Sequence, residues 1–472
     1  MEKNQSIEGL FKIKIHLFYF VLFYSSLLSA QSNKHLYSWG YNSTGQLGVG
    51  DVVNKSTPQL VSTKMKFIAG GYDFSIAIDQ SGKLYGAGAN GHGQCGDSDY
   101  QKHLNFRQIG KDSNWTFVST GWNHAIGINN KGYIYGWGSN LDYELGLGPD
   151  TIYNIFSPTR IGKDSNWVCA AAGSDFSLAI NSKGELYSWG NYIDGRLGLG
   201  SVYDFQNTPQ RVGLESDWVK VAAGRSFSIA INKKGQIFSF GNNRYGQLGL
   251  GNTIFQNVPQ RVGLDSNFID IAAGWYHILA VKSNGELYAC GRNNYGQLGI
   301  GNQIDQSKLV RVGTLSNWKS VAAGSAHSLA LTKDGELFSF GDNSLGQLGV
   351  DLTKDKTIPN KIGTDSTWDF IASGTGHCLA LSRNNESAGM ESISDISMDD
   401  FQLNVFPVPT KALIYVDVTT SYSSKEYTIY SINGKKISCG ILNPKMPIDV
   451  SNLSSGLYLI QVRNKFKQFV IE

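Results

Sequence analysis

The sequence predicts an all-β chain, a closed seven-bladed β-propeller followed by a small β-sandwich, and three observations predict it. A segment of the type Leu-Tyr-Ser-Trp-Gly recurs seven times, ending at Gly40, Gly88, Gly138, Gly190, Gly241, Gly291 and Gly341. A second segment, of the type Ala-Ala-Gly-x-x-[His/Phe]-x-x-Ala, recurs seven times with its glycine at positions 71, 121, 173, 224, 274, 324 and 374. Glycine supplies 55 of 472 residues and proline only 10, a mixture suited to many short strands joined by tight turns. A period of about 50 residues with roughly four strands is one propeller blade.

Residues 1–30 read as a secretory signal peptide. Lys12 and Lys14 precede the apolar run Ile15–Tyr24, which gives way to the small-residue end Ser29-Ala30. The run is shorter than the ~20 residues that span a bilayer, so cleavage after Ala30 is expected, with no membrane span in the mature protein. Within each repeat of residues 31–383, large and small residues alternate as a strand requires, as in Phe176-Ser177-Leu178-Ala179-Ile180. A turn ending in glycine follows, here Asn181-Ser182-Lys183-Gly184, and the next strand starts at Leu186. The connection out of Trp-Gly carries Asn-x-x-Tyr-Gly-Gln-Leu-Gly, as in 242–249.

The ends of the array set the blade count. The first Leu-Tyr-Ser-Trp-Gly, 36–40, lacks the strand that should precede it, and the last His-bearing segment, 372–381, lacks the strand that should follow. Paired with each other, these halves complete a seventh blade and leave no free edge. The blocks Ala272-Ala273-Gly274-x-x-His277, Gly285-Glu286-Leu287-Tyr288 and Asn294-Tyr295-Gly296-Gln297-Leu298-Gly299 resemble repeats of the regulator-of-chromosome-condensation family. The resemblance covers about 34–383 and itself implies a seven-bladed propeller.

Residues 384–402 carry Glu386, Glu391, Asp395, Asp399 and Asp400 without strand periodicity and read as an acidic linker. In 403–472 alternation resumes in short strands that suggest a β-sandwich, with a hairpin turn at Asn433-Gly434. Asn433-Gly434-Lys435 and Leu453-Ser454-Ser455-Gly456-Leu457-Tyr458 resemble the type A C-terminal sorting domain of the bacterial type IX secretion system. That resemblance implies passage through the periplasm, engagement with the outer-membrane type IX machinery, and a secreted or cell-surface product.

Composition argues against several function classes. The 41 basic and 38 acidic residues give a net charge of +3, without the basic footprint of a nucleic-acid binder. Five cysteines at unpatterned spacing predict isolated small hydrophobes, with neither a disulfide framework nor a zinc site. His124, His277, His327 and His377 share one repeat position with Phe74, Phe176 and Phe227. A ligand or general base has no phenylalanine substitute, so they read as packing aromatics. His92 and His103 fall on loops without patterned partners. No catalytic residue, metal or cofactor is expected.

Function is expected where the scaffold stops repeating. Two residues after each Ala-Ala-Gly differ in every copy: Tyr72-Asp73, Trp122-Asn123, Ser174-Asp175, Arg225-Ser226, Trp275-Tyr276, Ser325-Ala326 and Thr375-Gly376. They form a ring on one face. Tyr72, Asp73, Trp122, Asn123, Asp175, Arg225, Trp275, Tyr276, Ser325 and Thr375 are the candidate binding residues, rich in the aromatic and arginine types that favour hot spots. Trp122 and Trp275 are expected in exposed loops, with the Gly-Gln-Leu-Gly loops on the opposite face. The reading is a non-catalytic, secreted propeller that recognises a protein or glycan. The alternative is a propeller enzyme acting on extracellular polysaccharide, which a charged pair converging on the central channel would favour.

Overall fold

Each repeat folds into four antiparallel strands, and the computed structural model shows why the sequence alternates as it does. It describes residues 34–151, 153–201, 203–350, 354–364, 367–383, 403–406, 413–418, 425–431, 435–442, 448–462 and 465–471. The segments read as a signal peptide and an acidic linker, and the turn expected at Asn433-Gly434, lie outside the described residues. The chain divides into two compact units, Met1–Asn385 and Glu386–Glu472.

In the third blade the strands are Trp167–Ala172, Phe176–Asn181, Leu186–Gly190 and Gln206–Arg211, paired in that order. Every residue of Phe176–Asn181 is buried: one set of side chains packs on the preceding blade and the other on the next. Strand-forming and core-forming requirements therefore coincide, with no solvent-facing side to make polar. The turn glycine Gly184 has φ +79°, and a Cβ there would come within 2.6 Å of the Ser216 carbonyl oxygen. Gly190, which ends the Trp-Gly strand at φ +98°, lies against the Asp175 carbonyl. Both positions need the conformation that glycine adopts without strain.

Closure follows the half-hairpin expectation. Lys34–Gly40 pairs antiparallel with His377–Arg383 in unbroken register, from Lys34 opposite Arg383 to Gly40 opposite His377. The 16-residue strand Lys55–Gly70 then serves two blades. Its first half pairs with Lys34–Gly40 as the outer strand of the seventh blade, and its second half pairs with Phe74–Asp79 as the inner strand of the first. The seventh blade thus takes two strands from each end of the array. The first strand of every blade touches that of the next all the way round, lining a central channel.

The third strands lock blade to blade. Trp39, Trp137 and Trp189 are fully buried, and each indole Nε1 donates across the blade interface, to the carbonyls of Gln347, Gln94 and Glu144 at 2.9–3.0 Å. Replacing Trp189 with alanine should cost about 3–5 kcal/mol, read as a lower denaturation midpoint. An unchanged midpoint would show that the interface does not depend on this ring.

Among its described residues the second unit holds two sheets, one of three strands and one of four. Ile414 and Ile448 from one sheet and Ile429, Ile460 and Phe469 from the other share one buried cluster, which is a β-sandwich core. Three of the five free cysteines, Cys95, Cys290 and Cys378, are buried as expected of small hydrophobes, but Cys439 in the second unit is exposed. No helix among the described residues is long and apolar enough to cross a membrane.

Candidate binding face

The connection between the first and second strand of each blade is a tight turn closed over the repeat glycine, as in Gly173 N–H donating to Phe176 O at 2.8 Å. It leaves the two variable residues at the channel mouth. A backbone belt fixes them: Tyr72 N–H donates to Gly121 O, Trp122 to Gly173, Trp275 to Gly324, Ser325 to Thr375, and Thr375 to Gly71, at 3.0–3.2 Å. Each bond runs from one blade to the next. The ring positions are therefore set by the scaffold, whatever side chains they carry.

Those side chains meet over the mouth. The Tyr72 and Trp275 rings stack with centroids 6.1 Å apart and planes 11° from parallel, and Trp122 approaches them at 5.3 and 5.7 Å. The Arg225 guanidinium lies 4.9 Å from the Trp122 ring centre and 5.2 Å from that of Trp275, and donates to the Tyr276 hydroxyl. Ser325 and Thr375, on blades 6 and 7, are small and leave room for these four large groups from blades 1, 2, 4 and 5. Trp122 and Trp275 are half-buried rather than standing in exposed loops, because side chains from opposite blades reach across a narrow mouth and shield each other.

The acidic and amide members of the ring are tied to neighbouring loops. Gln46 Nε2 donates to Asp73 Oδ1 at 3.4 Å, Gln94 Nε2 to Asn123 Oδ1 at 3.4 Å, and Arg196 pairs with Asp175 at 2.6 Å. Burial pushes the Asp73 carboxyl up to about 6. Burial also raises Asp142, with the nearby Asp175 charge adding to it. These contacts correct the expected placement of the Gly-Gln-Leu-Gly loops. They share a face with the variable pairs, because the third strand ends opposite the start of the second, so both connections emerge at the same edge.

Sequence reasoning missed the loop partners. Tyr245 packs on Tyr276 with centroids 5.0 Å apart, and Arg292 lies 4.9 Å from the Tyr245 centre. The signal was present: position 292 holds Tyr41, Ala89, Ser139, Asn191, Asn242 and Asp342 in the sister copies, so Arg292 is also a departure from the repeat.

The first strands of blades 4 and 5, which line the channel, do carry a charged pair. Lys220 and Asp270 are joined, and the Asp270 carboxylate also accepts from Ile271 N–H at 3.0 Å and Val321 N–H at 2.9 Å. Burial alone would lower the Lys220 pKa, but the adjoining carboxylate outweighs it and raises it. A lysine held cationic against a carboxylate satisfied by backbone amides ties three blades together and leaves no free base. His103, expected without partners, has them: its Nε2 lies 2.9 Å from Asp97 Oδ2 and 3.2 Å from Asp99 Oδ1. Asn90, Gln101 and Arg107 bind the same carboxylates and knit the loop.

The repeat histidines are more than packing aromatics. His124, His277 and His377 place Nε2 at 2.9–3.0 Å from the hydroxyls of Ser177, Ser328 and Ser75 in the next blade, and His327 meets Ser373 and Cys378. The serine hydroxyls of 177, 328 and 75 donate onward to the carbonyls of Glu144, Gln297 and Gln46. They must therefore accept from the histidine, which places the proton on Nε2.

Comparison with known proteins agrees with this architecture. A profile described as RCC1-like domain matches residues 156–392, half of the chain. Profiles of the regulator of chromosome condensation (RCC1) repeat match 34–78 and 131–180, and 65–94 and 115–144. The Arabidopsis thaliana ultraviolet-B receptor UVR8 is 30% identical over 238 residues, 49% of this chain and 54% of that receptor. The dog X-linked retinitis pigmentosa GTPase regulator is 30% identical over 279 residues, 47% of this chain and 23% of its own length. The chain thus spans about half, or less, of the curated relatives it matches. Human WBSCR16 superposes with a TM-score of 0.69 at 24% identity, covering 75% of this chain and 99% of that one. Yeast Prp20p gives the same score and identity over 76% and 93%. At the other end, a secretion system C-terminal sorting domain profile matches 404–472, which marks the protein for export through the periplasm to the cell surface or beyond. The chain belongs to the RCC1-like domain family and carries a type IX secretion sorting domain behind its propeller.

Proposed function

We propose that the propeller, residues 31–383, is a non-catalytic binding module that recognises an extracellular protein or glycan through the face bearing Tyr72, Trp122, Arg225, Trp275 and Tyr276. The observation that carries the reading is the aromatic and guanidinium cluster over the channel mouth. Scaffold positions that need no large side chain hold four aromatic residues and an arginine there, on a backbone belt that keeps them preorganised. Preorganised aromatic and arginine groups lose little conformational freedom on binding. UVR8 and the GTPase regulator are, by their names, a receptor and a regulator, which accords with a binding role. The enzyme alternative draws little support from the charged pair on the channel-lining strands, because Lys220 is held by Asp270 and that carboxylate also accepts from the Ile271 and Val321 amides.

Trp122→Ala and Trp275→Ala test the reading. A ligand captured by the full chain from surface and culture material should bind the double variant about thirtyfold more weakly, the ~2 kcal/mol of a hot-spot loss. Lost ring contacts should lower stability by only about 1 kcal/mol each, visible as a small shift in the melting curve. Unchanged affinity in a folded double variant would move the site elsewhere.

A further inference from the structure

The loop face gathers its arginines in one sector, although aspartates are spread more widely and include Asp305 on blade 5 and Asp342 on blade 6. Blades 1 to 3 contribute Asp73, Asp142, Asp175 and Asp194 through the connections that meet at this face. Blades 4 and 5 contribute Arg225, Arg244 and Arg292. Among the described residues none of these three arginines has a carboxylate partner, whereas Arg107, Arg196, Arg211, Arg311 and Arg383 each pair with one. All three instead lie beside aromatic rings. Arg225 lies 5.7 Å and Arg292 5.8 Å from the Tyr276 centre, while Arg292 and Arg244 lie 4.9 and 5.9 Å from that of Tyr245. The result is an alternating row: Arg225, Tyr276, Arg292, Tyr245, Arg244.

The repeat shows that the fold does not demand this row. Position 225 holds Tyr72, Trp122, Ser174, Trp275, Ser325 or Thr375 in the other blades, and position 244 holds Ser43, Gly91, Leu141, Ile193, Asn294 or Ser344. Each arginine is the sole one at its repeat position, and the three come together on adjoining blades. An unpaired guanidinium held against a ring keeps its planar fork of donors for a carboxylate or sulfate, and the stacking limits the entropy lost when it binds.

We infer that this row is a binding site for an acidic polysaccharide bearing uronate or sulfate groups. The inference rests on the reading of this face as the binding face. A ligand that fits must alternate anionic groups with flat apolar surfaces. Each residue of a uronate chain offers both, a carboxylate and a C–H-lined ring face that packs on Tyr245 or Tyr276. An acidic peptide carries its charges on flexible stems with no flat surface between them. Asp175 and Asp194 of blade 3 and Asp342 of blade 6 flank the row and repel a polyanion from the rest of the face.

The test is titration of the full chain with an oligogalacturonate, a neutral glucan oligosaccharide of the same length, and an oligothymidylate. The oligogalacturonate should bind, weaken as salt is added, and lose about tenfold or more in each of Arg292→Gln and Arg244→Gln, the expected cost of one charge-assisted contact. Arg244 is exposed, so its replacement leaves the fold intact, and Arg244→Glu should weaken binding further. Equal binding of the neutral glucan, or no oligosaccharide binding at all, overturns the inference. If another captured ligand then still depends on Trp122 and Trp275, the binding face itself stands. Tighter binding of the oligothymidylate replaces the glycan with a nucleic acid. Oligogalacturonate binding that neither the arginine nor the tryptophan variants change defeats both the inference and the face.

Discussion

Acidification from about pH 7 to about pH 5 should unfold the propeller, and four histidines should account for most of the loss. Burial pushes His124, His277 and His377 down to about 3 and His327 to about 4. An imidazole with a depressed folded pKa stays neutral in the native state while the unfolded chain takes up its proton below ~6.5. The unfolded state then binds more protons, so stability rises with pH across the window between these values and falls as pH drops through it. Each histidine costs about 1.4 kcal/mol per pH unit below 6.5. At pH 5 that is roughly 2 kcal/mol each and roughly 8 for the four, comparable to the ~5–15 kcal/mol that holds a typical domain together.

Phenylalanine, the residue of the sister copies, isolates the effect. In His124→Phe the Ser177 hydroxyl still donates to Glu144 O, so the variant should match the parent within about 1 kcal/mol near pH 7. Near pH 5 it should be about 2 kcal/mol more stable. Melting curves across this range read the slope directly. If His124→Phe shows the parent's pH dependence, the histidine latches do not set acid stability.

Deleting residues 34–45 should abolish cooperative folding of the propeller. The deletion removes the third strand of the seventh blade, with fully buried Leu36 and Trp39. It also removes the Trp39 Nε1 bond to Gln347 O at 3.0 Å and the bond from Tyr41 N–H to Gly376 O at 2.9 Å. Losses of about 2–5 kcal/mol for a buried leucine and 3–5 for a buried tryptophan, with seven residues of strand pairing, equal or exceed the whole stability of an ordinary domain. The single change Trp39→Ala should lower the melting temperature without erasing the transition. A deletion protein that melts cooperatively at the parent temperature would show that the blades hold together without closure.

Periodicity made the architecture legible because every blade obeys the same packing rules, so seven noisy copies average into one clear pattern. Trp189 and Gly190 could be assigned a role from their sisters alone. The binding face was only partly legible, since ring membership is a property of the repeat but contact across the mouth is not. No spacing in the sequence brings Tyr72 of blade 1 against Trp275 of blade 5. One inter-blade rule is legible in the sequence as well. His124, His277, His327 and His377 are matched by Ser177, Ser328, Cys378 and Ser75 in the following blade, while Phe74 and Phe227 face Ala125 and Ile278; Phe176 faces Ser228, so the rule runs from histidine to partner and not back. A histidine is always followed by a polar partner one blade on, which is the signature of a hydrogen bond and not of packing.

The pairing of Lys34–Gly40 with His377–Arg383 also dictates when the molecule can be finished. These strands lie at opposite ends of the repeat array, so closing that ladder directly from an unfolded chain costs about 4 kcal/mol more than closing a four-residue hairpin on the flexible-chain estimate. Hairpins within blades 1 to 6 need only local contacts and form first; the seventh blade forms last. Until it does, the strand Lys34–Gly40 has an unpaired edge able to join another chain. The residues that relieve that hazard stand just ahead of the sorting domain, so an exported chain acquires its closing strand and its export tag at nearly the same moment.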